Sequence, residues 1–223
     1  MAIKIQSSRD CHVDGIKAVI YGASGVGKTV LCSTAPKPII ISAERGLLSL
    51  SDLDIPFVEV NTVKDIQDAY DMLKGHEDYD TICIDSLSEI SEAVLVELKK
   101  GVADGRQAYM KLSEAMGGLI KNFRDIKGKN VIFIAKSKRI EDEEAGTSQF
   151  EPYIPGKILP FQLPYLVDEV LYYDLDRKGV RQLCTKASRK YIAKDRSGKL
   201  DEFESPDLTQ IFNKIAKIGR AHV

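Results

Sequence analysis

Residues Gly22-Ala23-Ser24-Gly25-Val26-Gly27-Lys28-Thr29 fit the spacing GxxxxGK(S/T), which serves to grip the phosphates of a nucleoside triphosphate. The glycines let successive backbone N–H groups turn inward around the β-phosphate, at the start of a helix whose dipole also favours an anion. Lys28 is expected to reach the β- and γ-phosphates, and the Thr29 hydroxyl to meet Mg²⁺. The expected binding set runs from Gly22 through Val30. A Gly-rich turn without a ligand is the alternative, and the flanking pattern disfavours it: the apolar run Ala18-Val19-Ile20-Tyr21 before the loop reads as a strand, and a helical stretch follows.

Phosphate chemistry of this kind also needs a carboxylate near the metal, delivered by a neighbouring buried strand. Thr81-Ile82-Cys83-Ile84-Asp85 ends an apolar run in an acid, so Asp85 is the expected Mg²⁺ carboxylate. Asp85 or Ser86 could instead cap the following helix. Hydrolysis requires a group that activates water. Pro38-Ile39-Ile40-Ile41-Ser42-Ala43-Glu44 is a second apolar strand that delivers Glu44 at its C-terminal edge, where the crevice of an open α/β sheet lies. Glu44 is the expected base, its alternative being a surface acid paired with Arg45.

The phosphate loop, Ser42-Ala43-Glu44-Arg45-Gly46-Leu47, and Ile82-Cys83-Ile84-Asp85-Ser86 together resemble the RecA-like ATPase core. That resemblance implies ATP and Mg²⁺ as cofactors and a catalytic role for Glu44. From Gly15 to about Lys217 the chain is also similar to small phage-encoded RecA-like proteins that act as single-strand annealing recombinases, including at Ile154-Pro155-Gly156-Lys157 and Asp168-Glu169-Val170-Leu171-Tyr172. It implies a homo-oligomer, ring or filament, working on single-stranded DNA, with a single-strand-binding protein as a further partner. Lys194-Asp195-Arg196-Ser197-Gly198 looks like the lysine and arginine fingers of RecA-like ring helicases and clock ATPases, which implies that Lys194 and Arg196 act on a neighbouring subunit's γ-phosphate. Taken without the resemblance, Lys-Asp-Arg is a solvated turn. Two departures stand out. Ala135-Lys136 replaces the Asn-Gln pair that senses nucleotide in RecA, and the expected DNA loop, Ser137 to Glu151, carries Glu141-Asp142-Glu143-Glu144.

The elements that must hold these residues are legible as alternating apolar runs and helical periods, the pattern of βα units. Strands are expected at Ile16 to Tyr21, Pro38 to Ser42, Phe57 to Val60, Thr81 to Ile84 and Val131 to Ala135. Helices are expected at Val63 to Leu73, Leu87 to Lys99, Tyr109 to Ile126 and Asp207 to Lys217, the last N-capped from Ser205. A polar loop after Lys136 leads into a Pro-rich passage from Pro152 to Pro164, and Glu169 to Asp174 with Val180 to Thr185 reads as a hairpin. The expected class is α/β: a RecA-like P-loop NTPase with a mostly parallel central sheet flanked by helices and a C-terminal antiparallel hairpin edge.

At 223 residues the chain suits one domain, expected over 1–217. Residues 218–223, Ile-Gly-Arg-Ala-His-Val, match one reading frame of a common sequencing adaptor, so a non-native or frayed tail is expected there. The 32 basic and 33 acidic residues nearly cancel, so DNA would be held by local patches rather than bulk charge. Two such patches combine cations with aromatics: Lys99, Lys100 and Arg106 with Tyr109, and Lys136, Lys138 and Arg139 with Phe150 and Tyr153. Both could equally be solvated loops. Cys11, Cys32, Cys83 and Cys184 form no CxxC pair and read as reduced thiols. With neither a signal-peptide core nor a long apolar run, a cytoplasmic protein without membrane contact is expected. Two other functions fit a P-loop: a small-molecule or nucleoside kinase, with Arg177, Arg181 or Arg189 on a lid, and a nucleotide-gated helicase-loading or packaging scaffold.

Overall fold

The computed structural model describes residues 14–44, 47–102, 104–142 and 146–216. Cys11, Arg45, Glu143, Glu144 and the 218–223 tail lie outside the described residues.

The strands are β1 (Lys17–Gly22), β2 (Pro38–Ser42), β3 (Phe57–Glu59), β4 (Thr81–Asp85), β5 (Asn130–Asp142), β6 (Thr147–Pro152), β7 (Glu169–Leu175), β8 (Arg181–Cys184), β9 (Lys194–Asp195) and β10 (Phe203–Glu204). The helices are α1 (Lys28–Cys32), α2 (Val63–Leu73), α3 (Leu87–Lys100), α4 (Gly105–Arg124), α5 (Ile158–Leu166) and α6 (Leu208–Ala216). The main path of the sheet runs β10-β8-β7-β1-β5-β4-β2-β3, with β6 added to β5 and β9 to β7. From β7 to β3 neighbouring strands are parallel, whereas β8, β10, β6 and β9 pair antiparallel. The protein thus has the P-loop NTPase arrangement, a mostly parallel sheet between helices with an antiparallel hairpin at one edge.

Continuous apolar strands are explained by burial on both faces. In β1, Val19 and Tyr21 join the layer formed with α2, α3, α4 and α5, while Ala18 and Ile20 join the layer formed with α1 and α6. Strand β2 divides the same way, Ile39 and Ile41 against Ile40. A side chain such as Phe133, fully buried in β5, contributes enough that truncation to alanine costs about 3–5 kcal/mol. Helix α2 follows its sequence pattern: Ile66, Ala69 and Leu73 are buried, and Thr62 with Asp65 forms a capping box.

Three segments depart from the sequence reading. The polar loop after Lys136 is a hairpin: β5 continues to Asp142 and pairs with β6, Ser137 opposite Pro152 and Asp142 opposite Thr147. Its residues are mostly polar, with Ile140 and Phe150 the apolar exceptions on opposite faces, so no alternation announced it. The Pro-rich passage contains α5, with Pro160 in its first turn, where no intrahelical N–H bond is lost, and Pro164 near its end. Helix α6 is capped by Asp207, whose Oδ1 accepts the Gln210 N–H at 3.0 Å, rather than from Ser205.

Candidate nucleotide site

The phosphate loop leaves β1 at Gly22, whose register partners are Lys136 on β5 and Tyr173 on β7. A Cβ on Gly22 would lie 2.3 Å from the Tyr173 carbonyl oxygen, so only glycine fits. The loop then turns through left-handed backbone at Gly25 (φ 77°) and Gly27 (φ 102°), which points its N–H groups to one side. Helix α1 that follows is only five residues long, so the anion-holding power rests more on this concave run of N–H groups than on a macrodipole.

A cleft of about 770 Å³ opens over the loop. Gly22, Ala23, Ser24, Gly25, Gly27, Lys28, Thr29 and Val30 line it, together with Glu44 and Asp85. The structure therefore brings the expected loop residues and both carboxylates to one place. Val26 is the exception: it is buried and borders an adjoining hollow with Leu175, Val180 and Pro206.

The strands set this geometry. Ser42 at the end of β2 pairs with Asp85 at the end of β4, and the Ala43 N–H donates to the Asp85 carbonyl at 2.8 Å. Glu44, one residue further, accepts a hydrogen bond from Ser86 Oγ at 2.8 Å. The Thr29 hydroxyl donates to Asp85 Oδ2 at 2.6 Å. Ser86, not Asp85, caps α3, accepting the Glu89 N–H at 3.3 Å, which leaves the Asp85 carboxylate to the cleft. The Asp85–Ser86 peptide is cis.

Burial raises the pKa of Asp85, and Glu44 pushes the same way; the Thr29 hydrogen bond and Lys28 only partly offset this. A hard divalent cation between Asp85 and Thr29 would relieve that cost, and their oxygen donors suit Mg²⁺. Among the described residues no cluster of three or more acids, histidines or cysteines could hold a metal. Lys28 Nζ donates to the Gly22 carbonyl at 3.0 Å and the Ala23 carbonyl at 2.8 Å. Burial lowers its pKa, while Asp85 and Glu44 favour its charge.

Lys136 also reaches the cleft, where it forms ion pairs with Glu89 and with Glu92 at 3.0 Å. Its backbone N–H donates to Ser88 Oγ at 2.9 Å, which ties the end of the β5 core segment to α3.

Lys194 and Arg196, expected as fingers for a neighbouring subunit, lie outside the cleft of their own chain and have partners there. Lys194 pairs with Val170 and Asp195 with Glu169, at the end of β7 where β1 begins. Level with Val19 and Ala18 of β1, they are roughly 10–13 Å along the strands from Gly22. Lys194 Nζ donates to the carbonyls of Pro164 and, at 2.6 Å, Val167, satisfying backbone acceptors where α5 ends. Arg196 is ion-paired with Asp168 at 2.7 Å. Both cations are employed inside their own chain.

One cleft residue was open to sequence reasoning only as a lid arginine. Arg181 starts β8 opposite Leu175, two positions beyond Tyr173, the register partner of Gly22. This stagger carries its guanidinium over the phosphate loop, where a Cβ on Gly27 would lie 3.5 Å from Arg181 Cζ. Only the strand order β8-β7-β1 reveals it.

No curated protein matches the chain, whereas a family profile described as an AAA domain matches residues 14–197. That span covers well over half of the 223 residues, and the chain belongs to the AAA domain family of nucleotide-binding P-loop ATPases.

Proposed function

We propose that the protein hydrolyses ATP with Mg²⁺ and couples this to single-stranded DNA, in annealing or strand pairing of the kind used in phage recombination. The observation that carries hydrolysis is the Glu44 carboxylate, held by Ser86 beside the Thr29–Asp85 pair in a cleft floored by the phosphate loop. The loop N–H groups and Lys28 hold the phosphates, and Thr29 and Asp85 are the residues that would hold Mg²⁺, which neutralises phosphate charge when bound. Glu44 accepts a proton from water as its oxygen bonds to the γ-phosphorus. The bond from that phosphorus to the bridging oxygen breaks, and ADP departs with Lys28 balancing its charge. A kinase transfers phosphate to an acceptor hydroxyl and needs no group that activates water.

Support for DNA comes from the β5–β6 hairpin, which continues the strand that passes the cleft at Lys136 and carries Lys138 and Arg139. Lys136 is committed to Glu89 and Glu92, and Phe150 is stacked on Tyr172 with ring centroids 5.6 Å apart, so neither serves as a DNA contact in this reading. Tyr109 remains exposed, with Lys99 Nζ 5.5 Å from its ring centre, and offers a stacking platform of the kind single-strand binders use. Assembly into a homo-oligomer rests on the sequence resemblance, with Lys194 and Arg196 as structural residues rather than fingers.

Phosphate release with Mg²⁺, with and without single-stranded DNA and across a panel of phosphate acceptors, tests the proposal. Release to water, stimulated by DNA, is the expected result. Transfer to an acceptor would establish a kinase, and tight ATP binding without turnover a nucleotide-gated scaffold.

A further inference from the structure

The cleft holds a cation that neither the loop motif nor the carboxylates require. Arg181 lies against Gly27, the residue before Lys28, with both its Nε and Cζ 3.5 Å from where a Cβ on Gly27 would be. Tyr173 Oη stands 3.6 Å from the same point, so the guanidinium and phenol together cover this part of the loop. Gly27 is left-handed at φ 102° and lacks a side chain, and both properties permit the approach.

Other basic residues of the neighbourhood are already committed. Lys28 donates to the Gly22 and Ala23 carbonyls, and Lys136 is paired with Glu89 and Glu92. Arg181 forms no ion pair with an acid among the described residues. Its backbone is fixed by pairing with Leu175, and β7 is itself locked to β1. The guanidinium is thus held next to the phosphate loop by the same sheet that holds the loop.

We propose that Arg181 is a catalytic arginine supplied in cis: it stabilises negative charge on the transferring phosphoryl group within its own subunit. This rests on the hydrolytic reading above and adds to it the source of the second cation. A planar guanidinium can donate two parallel hydrogen bonds to phosphoryl oxygens, which a lysine in its place cannot reproduce. Because the cation comes from the same chain, this contact needs no neighbouring subunit.

The test uses Arg181→Ala and Arg181→Lys in the full chain, with Arg177→Ala, an exposed residue of the same hairpin, as control. Two readouts are taken: Mg²⁺-ATP turnover, and binding of ADP alone against ADP with aluminium fluoride, which mimics the transferring phosphoryl group. For both Arg181 variants turnover should fall by about 10² to 10³, affinity for the aluminium fluoride complex should fall in parallel, and ADP affinity should stay within about threefold. Arg177→Ala should match the wild type. Mixing Arg181→Ala with Glu44→Gln should restore nothing, since each subunit needs both groups. Recovery in the mixture would overturn the cis assignment, and so would wild-type discrimination between the two ligands by Arg181→Ala. Absence of turnover in the wild type would count against the hydrolytic reading instead, and the binding comparison would still decide whether Arg181 meets the phosphoryl position. Arg181→Lys guards against a folding artefact, because it keeps the charge and the aliphatic stem.

Discussion

Glu169 is almost fully buried at the start of β7, and its Oε2 has no hydrogen-bond partner. Burial, reinforced by Asp195 across the β7–β9 pair, pushes its pKa from the ordinary 4.5 up to about 8. The native state therefore keeps this proton at pH values where the unfolded chain has lost it. Stability from Glu169 is fully present below pH 4.5 and is lost as pH rises to about 8. The slope is about 1.4 kcal/mol per pH unit, up to about 5 kcal/mol over the whole window. Glu169→Gln imitates the protonated acid and removes the dependence. Urea unfolding of the two proteins should give equal stabilities at about pH 4.5 and an advantage for the glutamine variant of about 3–5 kcal/mol at pH 8.5. Asp85, also raised by burial, adds the same sign to both proteins and cancels in the difference. A difference that does not change with pH, or a glutamine variant less stable at pH 8.5, would refute the buried neutral carboxyl.

Lys194→Met should lose two carbonyl partners and about 1–3 kcal/mol of stability, seen as a lower melting temperature, while turnover per folded molecule stays within about twofold. A finger acting on a neighbour would instead lose about 10³ or more in rate. Lys28→Ala removes the phosphate-binding cation, so ATP affinity measured by titration should fall at least about tenfold and turnover should vanish. If single-stranded DNA lies along the β5–β6 hairpin, replacing Lys138 and Arg139 together should flatten the salt dependence of binding by about 1.4 in slope; an unchanged slope would remove the hairpin as the contact.

The parallel core was legible because burial on both faces makes each strand a continuous apolar run: Pro38–Ser42 and Val63–Leu73 were expected with the bounds found. The nucleotide cleft was legible for a related reason. A phosphate loop and strand-ending acids are local signals, and a parallel sheet gathers strand ends on one side. Signals failed where pairing rather than period decides the structure. The hairpin from β5 to β6 is mostly polar, with apolar Ile140 and Phe150 one on each face, and the two prolines of α5 hid a helix that tolerates them. Lys194-Asp195-Arg196 is a local pattern whose partners, Val167 and Asp168, precede it by more than twenty residues, so the sequence could not assign its cations to them. Arg181 was visible as a hairpin residue, but its place over Gly27 depends on two strand registers.

Water activation by Glu44 is tested most directly by single-turnover hydrolysis of Mg²⁺-ATP by Glu44→Gln, with ATP binding measured on the same preparation. The amide keeps the size of the side chain and can still accept the Ser86 hydroxyl, but it cannot take a proton from water. Binding should stay within about threefold of wild type while the hydrolytic step slows by at least about 10². Unchanged hydrolysis by Glu44→Gln would contradict the assignment and pass the role to Glu89, the next acid lining the cleft.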